Sequence, residues 1–124
     1  MDAEKFALEA FKRDSRIRYV GVVDNEFHIL LSQMREGVVS VSTEEEEHNF
    51  IQLMPPILVD AAEKMQPVLG GLESVTIRYA KLLLVFFRIG AVVVILSYDP
   101  DVTTPFVSAV SSMMQEIGPK YLAG

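Results

Sequence analysis

Leu82-Leu83-Leu84-Val85-Phe86-Phe87 is followed, after Arg88-Ile89-Gly90, by Ala91-Val92-Val93-Val94-Ile95-Leu96. Both runs are apolar throughout, rich in β-branched and aromatic residues, and of strand rather than helix length. Successive side chains of a strand point to opposite faces of a sheet, so a strand that is apolar at every position has two buried faces. Ile89-Gly90 joins the runs tightly enough to make them antiparallel neighbours. The stretch from Leu82 to Leu96 is shorter than the roughly 20 residues of a membrane-spanning helix, and Arg88 and Gly90 interrupt it, so membrane insertion is not expected. The sheet that holds these strands must be covered on both sides.

Working outward, Ser74 to Tyr79 alternates and predicts a third, half-buried strand. Ile17 to Val23 and Phe27 to Ser32, separated by the turn-formers Asp24-Asn25, predict a hairpin. Gly21 within the first of these marks either a bulge or the close approach of another element. Ala3, Phe6, Ala7, Ala10 and Phe11 recur with helical spacing and predict a helix from about Asp2 to Arg13. In Ser42-Thr43-Glu44-Glu45, Ser42 and Glu45 form a capping box that opens a second helix, and Glu44 to Glu47 lie at the positive end of its dipole. This helix carries Phe50, Met54, Ile57, Ala61, Met65 and Val68 in one stripe, with a kink or break expected near Met54 from Pro55-Pro56, and it ends at Gly70-Gly71. After the turn Asp99-Pro100-Asp101, Thr104 caps a last helix with Pro105 in its first position. Phe106, Val110, Met113 and Ile117 form its stripe, and Gly118-Pro119 closes it.

The predicted order is α-β-β-α-β-β-β-α, an α/β chain of the α+β type that forms a single domain over residues 1–124. Its central sheet has five mainly antiparallel strands, with the first and last helices on one face and the middle helix on the other.

The chain has 124 residues, 11 Lys plus Arg against 17 Asp plus Glu, a net charge of -6 and no cysteine. That balance argues against a nucleic-acid partner, which calls for a basic face. Without cysteine there is no disulfide framework, thiolate metal site or Cys nucleophile. The charged opening Met1-Asp2-Ala3-Glu4-Lys5 lacks the features of a signal peptide, and a cytoplasmic location is the expectation. Mean hydropathy is +0.28, high for a domain with so much surface to cover, so some apolar surface is expected to meet a partner.

Nucleotide-binding glycine loops, nucleophile elbows and zinc-protease motifs are all absent, and neither an enzymatic activity nor a cofactor is expected. Glu45-x-x-His48, with Glu44 one turn away, is the nearest approach to a metal motif. It lacks companion ligands and reads as a solvated helix start, so no metal is expected. His28 in the second strand reads as a partly buried, hydrogen-bonded histidine. Lys12, Arg13, Arg16 and Arg18, joined by Arg35 if its loop folds back, form a candidate docking patch for an acidic partner or an anion. The methionines fall mostly on apolar faces and read as core filling.

The element order, together with Ile17-Arg18-Tyr19-Val20-Gly21-Val22-Val23-Asp24, Met34-Arg35-Glu36-Gly37-Val38 and the Glu-rich helix start, resembles the roadblock-type dynein light-chain fold, a relative of longin and profilin-like domains. Those stretches look closest to an archaeal family of small roadblock-like proteins with no assigned activity. Pro55-Pro56 and a hairpin turn without glycine depart from the usual roadblock pattern. The resemblance implies a non-enzymatic homodimeric interaction or scaffold module for signalling, of the kind that regulates or anchors a small GTPase. The expected self-association surface consists of Phe50, Met54, Ile57, Leu58, Ala61 and Met65 of the middle helix with Val75, Ile77 and Tyr79 of the third strand, whose place at a sheet edge would leave backbone groups to pair with a second copy. The alternative is a small-molecule sensor with a pocket between helix and sheet.

Overall fold

The computed structural model describes residues 1–40, 43–101 and 104–122. Strands β1 (Tyr19–Asp24), β2 (Ile29–Met34), β3 (Val75–Arg78), β4 (Leu83–Ile89) and β5 (Val92–Tyr98) form one antiparallel sheet in the order β2-β1-β5-β4-β3. Helices α1 (Ala3–Arg13) and α4 (Thr104–Leu122) cover one face, and α2 (Glu44–Glu63) covers the other, followed by the short α3 (Gln66–Leu69). This is the expected α+β architecture, and the doubly apolar runs at β4 and β5 are its buried centre. No described helix is long and apolar enough to cross a membrane.

Under α1 and α4 the core joins Phe6, Ala7 and Ala10 to Val20, Val22, Val85, Val94 and Leu96, with Met114 and Ile117 above them. Asp2 caps α1 by accepting from the Lys5 amide at 3.0 Å. On the opposite face Ile51 and Val59 of α2 seat on Tyr19, Val23, Leu84, Phe86, Val93 and Ile95. The β4–β5 loop has two residues, and its first, Gly90, adopts φ 58, a conformation open to glycine without steric cost.

Several boundaries differ from the sequence expectation, each for a local reason. Asp24 accepts from the amides of Glu26 and His28, both at 2.9 Å, and Phe27 takes φ 66, which lengthens the turn and delays β2 to Ile29. His28 is therefore an exposed turn residue rather than a partly buried strand residue, its Nδ1 3.1 Å from Asp24 Oδ2. Val22 pairs with Leu31 but Val23 with Ile29, so the bulge sits at Leu30. Gly21 instead answers a close approach: a Cβ there would lie 2.9 Å from Tyr19 Cε1 and 2.7 Å from its hydroxyl.

The capping box of α2 closes on Thr43 and Glu46, with Glu46 N to Thr43 Oγ1 at 3.1 Å and Thr43 N to Glu46 Oε1 at 2.9 Å. Ser42, named for that role, lies outside the described residues. Pro55-Pro56 do not break the helix. Both are buried, and the anchoring of Ile51 and Val59 on the sheet outweighs a local cost of about 3 kcal/mol. The helix stops earlier than Gly70, at Glu63, and the turn that starts at Gln66-Pro67 forms α3. α4 runs past Gly118-Pro119 to Leu122, because Gly118 lets the helix approach Ile89, whose Cδ1 would be 2.8 Å from a Cβ at that position. The side chains of Thr104, Pro105 and Phe106, and with them the expected cap, lie outside the described residues.

Candidate functional site

Ile51, Pro55 and Val59 are spaced by four residues and form the buried seam of α2. Met54, Ile57 and Ala61 fall to one side of that seam and are exposed, Ile57 by 50%. Leu53, Met65, Val68 and Leu69 extend the exposed apolar surface along α2 and α3, the last two at 78% and 75%. Of the expected self-association residues, Met54, Ile57, Ala61, Met65 and Tyr79 are exposed. Phe50, Leu58, Val75 and Ile77 are half-buried and packed on the core beneath α2.

The nearby β3 pairs only with β4, through four consecutive residues without a register shift, and its other edge carries no described partner. β2, the opposite edge, is interrupted by the bulge at Leu30. A bulge blunts an edge against further pairing, whereas a regular edge stays competent for it.

At the other end of α2 the helix and sheet border a half-open cavity of about 450 Å³. Its floor follows one cross-strand row, Met34–Tyr19–Ser97–Leu84. Phe50 and Ile51 line it from α2, Tyr79 and Leu82 from the β3–β4 turn, and Arg18, Ser40, Glu46 and Glu47 bring polar groups to it. Tyr19 lies down across Gly21 to meet Ser32 Oγ at 2.8 Å, and burial pushes its phenol well above the usual range, so it stays protonated. Ser97 is 3% exposed, the buried polar residue among the described ones.

The charged residues are largely paired within the chain. Arg35 does fold back, but it donates to the carbonyls of Ile17, Phe11 and Asp14 at 2.7–2.9 Å and lies over the Phe11 ring. Arg18 donates to Asp99 at 2.7 Å and to the Val39 carbonyl, Arg13 meets Glu9 and Glu116, and Arg16 lies 3.9 Å from Asp14. Lys12 and Arg16 are exposed on this corner. Carboxylates and carbonyls from α1, α4 and the β5–α4 turn thus reach in among the cations of the candidate docking patch.

In the sequence Arg88 reads only as a break in an apolar run. Its guanidinium joins Asp60 at 2.6 Å and Glu63 at 3.0 Å on α2 to Asn25 of the hairpin turn. His48 and Glu45 are exposed, and no group of three His, Asp or Glu suited to a metal ion occurs among the described residues.

No family model matches the sequence, and no curated protein matches it. Solved structures do match. The roadblock/LC7 domain from Streptomyces avermitilis has a TM-score of 0.71 at 8% identity, with all of both chains covered. The gliding protein MglB from Thermus thermophilus has 0.67 at 12% identity over 93% of this chain and 84% of its own. An MglB with a tetrameric arrangement has 0.64 at 12% identity over 97% and 90%. At such identities the likeness is one of fold. The chain has the roadblock/LC7 fold.

Proposed function

We propose that the protein is a non-enzymatic homodimeric interaction module whose two copies join through α2 and β3. The observation that carries this reading is the adjacency of an exposed apolar stripe, Met54, Ile57, Ala61 and Met65, to a regular sheet edge with no further strand beside it among the described residues. Pairing β3 with its counterpart would satisfy that edge and bring the two stripes together under one symmetry axis. The high mean hydropathy then has a physical outlet. The fold likeness to an MglB with a tetrameric arrangement supports self-association.

The module's partner is an acidic protein, and the roadblock resemblance favours a small GTPase. Exposed Lys12, in the last turn of α1, and Arg16, in the turn beyond it, are the side chains best placed to meet it.

Light scattering at tens of micromolar should give about twice the chain mass of 13.9 kDa. Ile57→Glu should reduce it to the monomer mass by burying an uncompensated charge in the joint. A monomeric parent, or a dimer unmoved by Ile57→Glu, would overturn the reading. In the same samples a purified GTP-loaded small GTPase should be captured by the parent, and the double variant Lys12→Glu, Arg16→Glu should lose capture while remaining dimeric.

A further inference from the structure

The cavity under the first half of α2 arises from two small residues at the middle of an otherwise large-residue sheet face. Along its floor row, Ser97 stands between Tyr19 and Leu84. In the next row Gly21 stands beside Ile95 and Phe86. Gly21 lets the Tyr19 ring lie flat along the sheet instead of rising toward α2, and Ser97 adds almost no height of its own. Space therefore remains where a branched residue at either position would have filled it. The space opens to solvent at one side, and about 450 Å³ lies in the range of small-molecule sites.

The lining also restricts what can enter. Most of it is apolar, from Met34, Phe50, Ile51, Leu82 and Ile95. The Ser97 hydroxyl, on a residue 3% exposed, lies in the lining and is the polar group that the floor offers to a ligand. Glu46 and Glu47 contribute two carboxylates, while the guanidinium of Arg18 is already held by Asp99 and the Val39 carbonyl. An anionic group would meet net negative charge here.

We infer that this cavity binds an uncharged, mainly apolar small molecule carrying a hydrogen-bonding group that meets Ser97. The site shares Phe50 and Tyr79 with the expected self-association surface but none of the exposed stripe Met54, Ile57, Ala61 and Met65.

The test uses two dyes on one scaffold, neutral N-phenyl-1-naphthylamine and its sulfonated counterpart 1-anilinonaphthalene-8-sulfonate. The chain has no tryptophan, so Phe50→Trp places a single indole in the cavity wall. The neutral dye should bind at one per chain, with energy transfer from that indole, and at least tenfold more tightly than the sulfonate. Ser97→Leu, which fills the floor, should weaken binding at least tenfold without lowering the melting temperature. Gly21→Ala, which lifts the Tyr19 ring into the same space, should weaken it too. Ile57→Glu should leave dye binding unchanged whether or not it dissociates a dimer. Absence of saturable binding, equal affinity in Ser97→Leu, loss of binding in Ile57→Glu, or equal binding of the sulfonate would each overturn the assignment.

Discussion

The two faces of the sheet are built from the same five strands and are finished differently. On the α1/α4 side the central positions are Val20, Val22, Val85, Phe87, Val94 and Leu96, all buried, and two helices seal them. On the α2 side one long helix covers the sheet, Gly21 and Ser97 occupy central positions, and exposed apolar residues remain on α2 and α3. On the first face every one of those central strand positions is buried by the chain itself. The other is left with apolar surface outside and space inside, which is where a domain of this size has material for binding.

The strongest way to break this contrast is a pair of truncations. Phe6→Ala on the α1/α4 face should lower stability by about 3–5 kcal/mol, because it removes a fully buried ring from the core. The loss should be the same at every protein concentration. Ile57→Ala on the open face should cost less, and its effect should depend on concentration, vanishing on dilution below the dimer dissociation constant. Urea melts at two concentrations a hundredfold apart distinguish the two; a concentration-independent loss at Ile57 would mean that α2 serves only its own sheet.

A smaller effect sharpens the picture at the start of α2. Thr43→Ala should cost about 1 kcal/mol by removing the cap of the helix that roofs the cavity. The Thr43 amide and hydroxyl hold the Glu46 carboxyl below its ordinary value of 4.5. A depressed carboxyl contributes stability that is complete above the ordinary value and lost as pH falls through the folded one. The parent should therefore lose stability on acidification below about pH 4.5, and Thr43→Ala should lose less over the same interval. The bonds to His28 and Glu26 hold Asp24 low in the same sense, and that contribution should persist in the variant.

What the sequence disclosed follows the same division. Continuous apolarity in β4 and β5 already required cover on both faces, and helical spacing in α1 identified Phe6, Ala7 and Ala10 as one buried side. Periodicity reports that a face is buried, not how completely. The cavity was hidden because Ser97 reads as the polar end of a strand closing at Leu96, whereas β5 runs on to Tyr98 and carries Ser97 into the interior. The run of α2 through Pro55-Pro56 was hidden for a related reason: local chemistry opposes it, and contacts with residues distant in the chain override that opposition. Arg88 looked like an interruption since its partners lie far away in sequence.

Those separations have a consequence in time. The bonds of Arg88 join residues 25, 28 and 63 positions apart, and all of them are available only after the hairpin turn, the end of α2 and β4 have met. Contacts that need three separate segments in place are expected to form late in folding. Arg88→Met should accordingly speed unfolding in a stopped-flow experiment while refolding proceeds at nearly the parent rate. The guanidinium would then act as a latch, felt in the lifetime of the folded chain rather than in the speed with which that fold is reached.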